Sequence, residues 1–144
     1  MAPKLDFVLA TTYCPTSELV PLARHAELCG FDTVAVSDHL VVPDDVASRY
    51  PYGRSGKPPF SPSDDWSDPW VAIAAMAAVT ERLRFATNVY LLALRDPFSV
   101  AKAVATTAVL SGDRVTLGVG VGWLREEFEL AGRSFGDRGA RTTE

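Results

Sequence analysis

Apolar positions along this chain change their period several times, and each change marks an element. Lys4 to Ala10 is a short apolar run of strand type. From Ser17 to Cys29, the residues Leu19, Leu22, Ala23, Ala26 and Cys29 recur at helical spacing, which places them on one face of a helix that Gly30 ends. Pro21 falls near the first turn, where its missing N–H costs least. Thr33 to Ser37 forms a second strand, Arg84 to Leu92 a third and Arg114 to Gly122 a fourth. Helices are predicted at Pro69 to Thr80 and at Pro97 to Leu110, the latter stopping before Ser111-Gly112. Both open on Asp-Pro, at Asp68-Pro69 and Asp96-Pro97: the carboxylate accepts from free backbone N–H groups, and proline takes the first helical position without losing a hydrogen bond.

Strands and helices alternate, and the connections between strands are too long for hairpins, which favours a parallel sheet. Such a chain builds either an open doubly wound sheet or half of an eightfold barrel. A dinucleotide-binding sheet needs Gly-x-Gly-x-x-Gly at its first strand-to-helix turn. Here Gly118, Gly120 and Gly122 alternate inside the fourth strand instead, all on one face, with Leu117, Val119 and Val121 on the other. The expectation is therefore an α/β fold of the (β/α)8 TIM-barrel type with only its first four strands and three helices, a half-barrel made as one domain over residues 1–144. Right-handed crossovers give the strand order one, two, three, four, with the first and fourth at open edges.

The stretch from Leu40 to Trp66 breaks the alternation. It is rich in proline, contains Tyr50, Tyr52, Phe60 and Trp66, and leaves the carboxyl end of the second strand. Long loops of this kind often cover a site, and the carboxyl ends of strands are where α/β proteins place ligands.

Composition narrows the class further. The 144 residues suffice for one domain, and 47% apolar with 22% charged residues suits a water-exposed globular chain. No run approaches the roughly 18 apolar residues that a membrane span needs. Met1 to Ala10 carries Lys4 and Asp6 within its apolar run and so lacks the hydrophobic block of a signal peptide, which makes a cytoplasmic location the expectation. A net charge of -4 gives no chain-wide reason to bind nucleic acid or an anionic membrane, leaving a small molecule as the expected partner. Cys14 and Cys29 have no metal-type spacing and are expected as free thiols; no metal site is expected.

The candidate chemistry gathers at strand ends. Asp38-His39 is the acid and imidazole pair at the carboxyl end of the second strand, and imidazole is the side chain best suited to move a proton near neutral pH. His25 lies inside the first helix, as a surface or packing residue. Three glycines on one strand face imply close approach by a flat ligand, by another backbone or by a tightly set helix.

Ser37-Asp38-His39, the run from Ala86 through Asn88, Val89 and Arg95 to Pro97, and the run from Leu110 through Gly118, Gly120 and Gly122 to Trp123 with Glu126-Glu127-Phe128 resemble the bacterial luciferase-like superfamily along the whole chain. Within it the sequence is most similar to the branch that uses the deazaflavin coenzyme F-420. The resemblance implies an oxidoreductase barrel that transfers hydride to or from a small organic substrate, with coenzyme F-420, or alternatively FMN in a monooxygenase, at the carboxyl ends of the strands. A full barrel takes about 250 residues, so this chain resembles the amino-terminal half. Carried over by position, His39 would be the catalytic acid or base, Asp38 would contact the cofactor, Asn88-Val89 would be a cis peptide behind the ring, and Val121 and Gly122 would flank it. Trp123 stands where sugar-phosphate dehydrogenases of the superfamily carry an acidic proton donor. Open edges imply a homo-oligomer or a complementary half-barrel as partner, and a noncatalytic half-barrel acting through assembly is the alternative to an enzyme.

Overall fold

In a computed structural model, the chain is described from residue 5 to residue 144. The elements are β1 (Val8–Ala10), α1 (Leu19–Leu28), β2 (Thr33–Val36), α2 (Pro69–Ala77), β3 (Arg84–Thr87), β4 (Tyr90–Leu91), α3 (Pro97–Ser111), β5 (Val115–Thr116), β6 (Val119–Gly120), α4 (Arg125–Leu130) and α5 (Arg138–Thr143). Four strands form a parallel sheet in the order β1-β2-β3-β5, with Val8 opposite Thr33, Val34 opposite Phe85, and Phe85 opposite Val115. β4 and β6 pair separately and in parallel, Tyr90 opposite Val119. The order is the one right-handed crossovers dictate, and the first and last strands of the sheet are its edges.

Side-chain alternation decides which face is packed. Val34, Val36 and Phe85 point to the side covered by helices, where they meet Leu19, Ala23 and Ala26 of α1 and Trp70, Ile73 and Met76 of α2. Phe85, Ile73 and Met76 are all fully buried, each stabilising the fold by about 1.5–3 kcal/mol. The two Asp-Pro starts work as expected: Asp68 accepts from Trp70 and Val71 N–H, and Asp96 from Ser99 N–H. Gly112 ends α3 at φ 65, a left-handed turn that glycine adopts without strain.

The structure departs from the expectation in three places. The first strand is confirmed only at Val8–Ala10, and Lys4 lies outside the described residues. The third and fourth strands are each broken. β3 stops at Thr87 and β4 follows after the Asn88–Val89 peptide, which is cis as the resemblance implied; β5 and β6 are separated at Leu117-Gly118. Across the breaks, the Thr87 hydroxyl donates to Gly118 O at 2.8 Å and accepts from Gly118 N–H at 2.9 Å, while Tyr90 N–H donates to Gly118 O at 2.7 Å. A side chain replaces the ladder there, and a two-residue hydropathy period cannot show such a substitution. Finally, two short helices, α4 and α5, follow the three expected ones. Leu91, Ala93 and Leu94 bury Phe128 of α4 in a second apolar cluster, which holds α4 under the rim.

Candidate functional site

The carboxyl ends of β2, β4 and β6 open onto a cleft of about 260 Å³. Thr12, Ser37 and His39 line it from the first two strand ends, and Asn88, Val89, Leu91, Gly120, Val121, Gly122 and Trp123 from the other side. The long loop supplies Tyr50, Tyr52, Phe60 and Trp66, so it covers the site as its position implied. No lysine or arginine is among the lining residues.

His39 is the centre of the aromatic wall. Its ring lies 4.5 Å from Trp66 at 80°, 5.0 Å from Phe60, and 6.5 Å from Trp123 at 90°. Its side chain is 8% exposed, and Nδ1 lies 2.9 Å from Oε2 of Glu127, which is 1% exposed at the side chain. The other oxygen of Glu127 accepts from Leu40 N–H at 2.6 Å and Val41 N–H at 3.3 Å. Beside it, Oε1 of Glu126 accepts from Ala47 N–H at 2.9 Å and Ser48 N–H at 2.8 Å. Burial works against the Glu126 charge, yet these hydrogen bonds hold its carboxyl below the ordinary range. Two adjacent carboxylates of α4 thus clasp the first third of the long loop.

Asp38 also lines the cleft, with its carboxylate engaged by other residues of the chain. Its side chain is 0% exposed and turned to Arg95, with both carboxylate oxygens 2.7 Å from the guanidinium. Oδ2 also accepts from Leu91 N–H at 2.9 Å. Burial raises its pKa above the ordinary value, against the pull of Arg95 and Leu91. The Arg95 guanidinium lies 4.2 Å over the Tyr90 ring, a cation–π contact. Asp38 therefore ties the end of β2 to β4, and its oxygens are already engaged.

The glycines are explained by neighbours within the chain. A Cβ on Gly118 would sit 2.2 Å from Thr87 O, and one on Gly120 would sit 2.2 Å from Val89 Cγ2. Gly122 has φ +77 and faces Phe128, so it leaves the extended strand and does not share the face of the other two. Close approach by another backbone is the right reason at Gly118, and packing on a helix is the right one at Gly122. Asn88, Val89, Val121 and Gly122 all reach the cleft with His39, and Val89 and Val121 are 39% and 47% exposed. Tyr13, also at the cleft, keeps its phenol proton more tightly than usual because of burial and the neighbouring Tyr50 and Asp64.

Sequence reasoning missed Arg95 and the role of Glu127. Arg95 is visible only as the charge before Asp96-Pro97, and Glu127 only as one acid in a run; pairing them with Asp38 and His39 needs contacts 57 and 88 residues apart. His25 is exposed, with Nδ1 2.8 Å from Pro21 O, and both cysteines are free thiols. Among the described residues no helix is long and apolar enough to cross a membrane.

A parallel sheet with helices on one face and a cleft at its carboxyl rim defines a partial (β/α) barrel. The chain belongs to the luciferase-like monooxygenase family, which it matches over residues 7–144. It is 39% identical over 125 residues to an uncharacterized protein of Mycobacterium tuberculosis, a match covering 87% of this chain and 43% of that protein. It is 35% identical over 131 residues to an F420-dependent glucose-6-phosphate dehydrogenase of Amycolatopsis mediterranei, covering 88% of this chain and 34% of the dehydrogenase. Among solved structures, the oxygenating constituent of 3,6-diketocamphane monooxygenase from Pseudomonas putida, in complex with FMN, superposes with a TM-score of 0.71 at 18% identity, over 97% of this chain and 38% of that one. The chain thus spans less than half the length of these relatives.

Proposed function

We propose that this chain is the amino-terminal half of a luciferase-like oxidoreductase that binds coenzyme F-420, with His39 as the acid or base beside the reacting carbon. The observation that carries the reading is the convergence of His39, Val89 and Val121 on one cleft walled by aromatic rings. A flat heteroaromatic ring suits that lining: Val89 and Val121 offer half-exposed apolar side chains to its face, and His39 offers a proton-carrying edge. At about 260 Å³ the cleft falls just below the roughly 300–1,000 Å³ of complete ligand pockets, so it suits the ring and leaves the charged tail to other parts of a full barrel. When bound, a deazaflavin or flavin supplies the hydride. The chain's residues orient the ring, exclude water from one side and move a proton at His39.

The F420-dependent dehydrogenase among the relatives favours the deazaflavin, while the FMN complex supports the monooxygenase alternative through fold alone. Trp123, packed 5.1 Å from Tyr50 and 6.2 Å from Phe60, fills the place of an acid with indole, which favours a weakly charged organic substrate over a sugar phosphate. The open edges at β1 and β5 support a complementary half-barrel or a second copy as partner, and solution mass is the measurement that separates that state from a monomer.

Titrating the purified chain with F-420 and with FMN, followed by each chromophore's absorbance, tests the cofactor. Tighter binding of F-420 is expected; tighter FMN overturns that choice in favour of the monooxygenase, and binding of neither removes the ring site. In the complete enzyme, His39→Ala should lower turnover about 100-fold to 10,000-fold, with cofactor binding falling far less. Equal loss of both would make His39 a cofactor or scaffold residue.

A further inference from the structure

We propose that Glu127 is the positioning residue of this site, holding His39 in the tautomer that carries its proton on Nδ1 and presents Nε2 to the cleft, and tying that choice to the folded state of the long loop. The inference rests on the reading of His39 as the proton-moving group. Its basis is how the two Glu127 oxygens are divided. Oε2 meets His39 Nδ1, and Oε1 accepts from the Leu40 and Val41 N–H groups. A carboxylate can only accept hydrogen bonds, so the shared proton belongs to Nδ1 and the lone pair of neutral imidazole is left on Nε2. The His39 ring lines the cleft, and Nε2 has no hydrogen-bond partner among the described residues. Glu127 is 0% exposed, so its carboxylate is held out of contact with bulk water.

The same carboxylate couples the tautomer to the loop. Leu40 and Val41 directly follow His39, and their N–H groups are fixed by the oxygen geminal to the one that orients the ring. Glu126 fixes Ala47 and Ser48 seven residues on, and the Arg125 N–H donates to Ser48 Oγ at 3.2 Å. Ordering this part of the loop and setting the imidazole are therefore one event.

The isosteric change Glu127→Gln gives a sharp test. Two backbone N–H groups converge on one oxygen of the fully buried side chain and need an acceptor there, so the amide oxygen stays with Leu40 and Val41 and the amide NH2 is turned to His39 Nδ1. That group donates, so the imidazole proton must move to Nε2. Nitrogen-15 NMR of the full chain, at a pH where the ring is neutral, should show the unprotonated, pyridine-type resonance on Nε2 in the wild type and on Nδ1 in the variant. Leu40 and Val41 amides should keep their protection from hydrogen exchange in both. A carboxylate that merely braced the loop would leave the tautomer unmoved. An Nε2–H tautomer in the wild type overturns the proposal even if the variant does not fold, and so does an unchanged tautomer in a folded variant. Failure of His39→Ala to lower turnover would instead remove the catalytic reading and leave the tautomer result standing.

Discussion

The two ends of the sheet are braced by the same device put to different use. At the amino end, Glu27 accepts from Glu81, Arg82 and Leu83 N–H, and Arg114 donates to Ala77 O, Leu83 O and Ser111 O as well as to the Thr80 hydroxyl. Nearly every bond ends on backbone, and the result is a stapled turn. At the carboxyl end, Glu127 also takes two backbone N–H groups, yet its second oxygen goes to an imidazole that lines a cleft, and Asp38 is engaged with a guanidinium. Where a charge answers mainly backbone, as at Glu27 and Arg114, it secures the chain; where a fully buried carboxylate answers a side chain at a strand end, it orders the rim of the cleft.

That contrast is broken most directly at Arg95. Its removal leaves the fully buried Asp38 carboxylate with Leu91 N–H as its remaining hydrogen-bond partner, and truncating one member of a buried pair costs about 3–5 kcal/mol. Arg95→Ala should therefore be the most costly single change considered, measured by urea unfolding. A loss under about 1 kcal/mol would show that the pair contributes little at this rim.

Gly118→Ala tests the seam between the two ends. The added Cβ would lie 2.2 Å from Thr87 O, a backbone atom that cannot swing aside. Overpacking of this kind costs about 1–3 kcal/mol. The loss should come with faster exchange of the Tyr90 amide, which is bonded to Gly118 O.

The sequence carried the strand order, the helix starts and the side of the sheet where the cleft opens, because hydropathy period, Asp-Pro caps and loop position are local signals. His39 was legible for the same reason, as an imidazole at a strand end. The pairings Asp38 to Arg95 and His39 to Glu127 were not, since nothing within either segment distinguishes a carboxylate that answers a distant side chain from one in solvent. The cis peptide at Asn88-Val89 was implied by the family resemblance and is present, but the break at Gly118 was not legible: the Thr87 hydroxyl that bridges it looks, in sequence, like any strand threonine.

The amino-end brace gives a smaller effect with a defined pH dependence. Burial pushes the Glu27 carboxyl up, but the N–H groups of Arg82, Leu83 and Glu81 bring it below its ordinary value. A carboxyl lowered on folding stabilises above its unfolded pKa and loses that contribution as pH falls through its folded value. Glu27→Gln keeps an acceptor and removes the charge, so it should cost about 1 kcal/mol at neutral pH. The gap to wild type should close as the pH drops below the ordinary glutamate range near 4.3. A gap that persists unchanged in acid would mean that shape, and not charge, braces this turn.

The smallest effect is expected at His25, and it sharpens the comparison because this histidine shares one feature with His39. Each ring places Nδ1 within hydrogen-bond distance of an oxygen, 2.8 Å from Pro21 O for His25 and 2.9 Å from Glu127 Oε2 for His39. The His25 bond lies on the exposed face of α1, within one helical turn, where water replaces either partner at once. Surface changes of that kind shift stability by no more than about 0.5 kcal/mol. His25→Ala should leave urea unfolding and F-420 titration at wild-type values. A loss of binding in that variant would mean that the helix layer, and not the strand-end rim alone, communicates with the cleft.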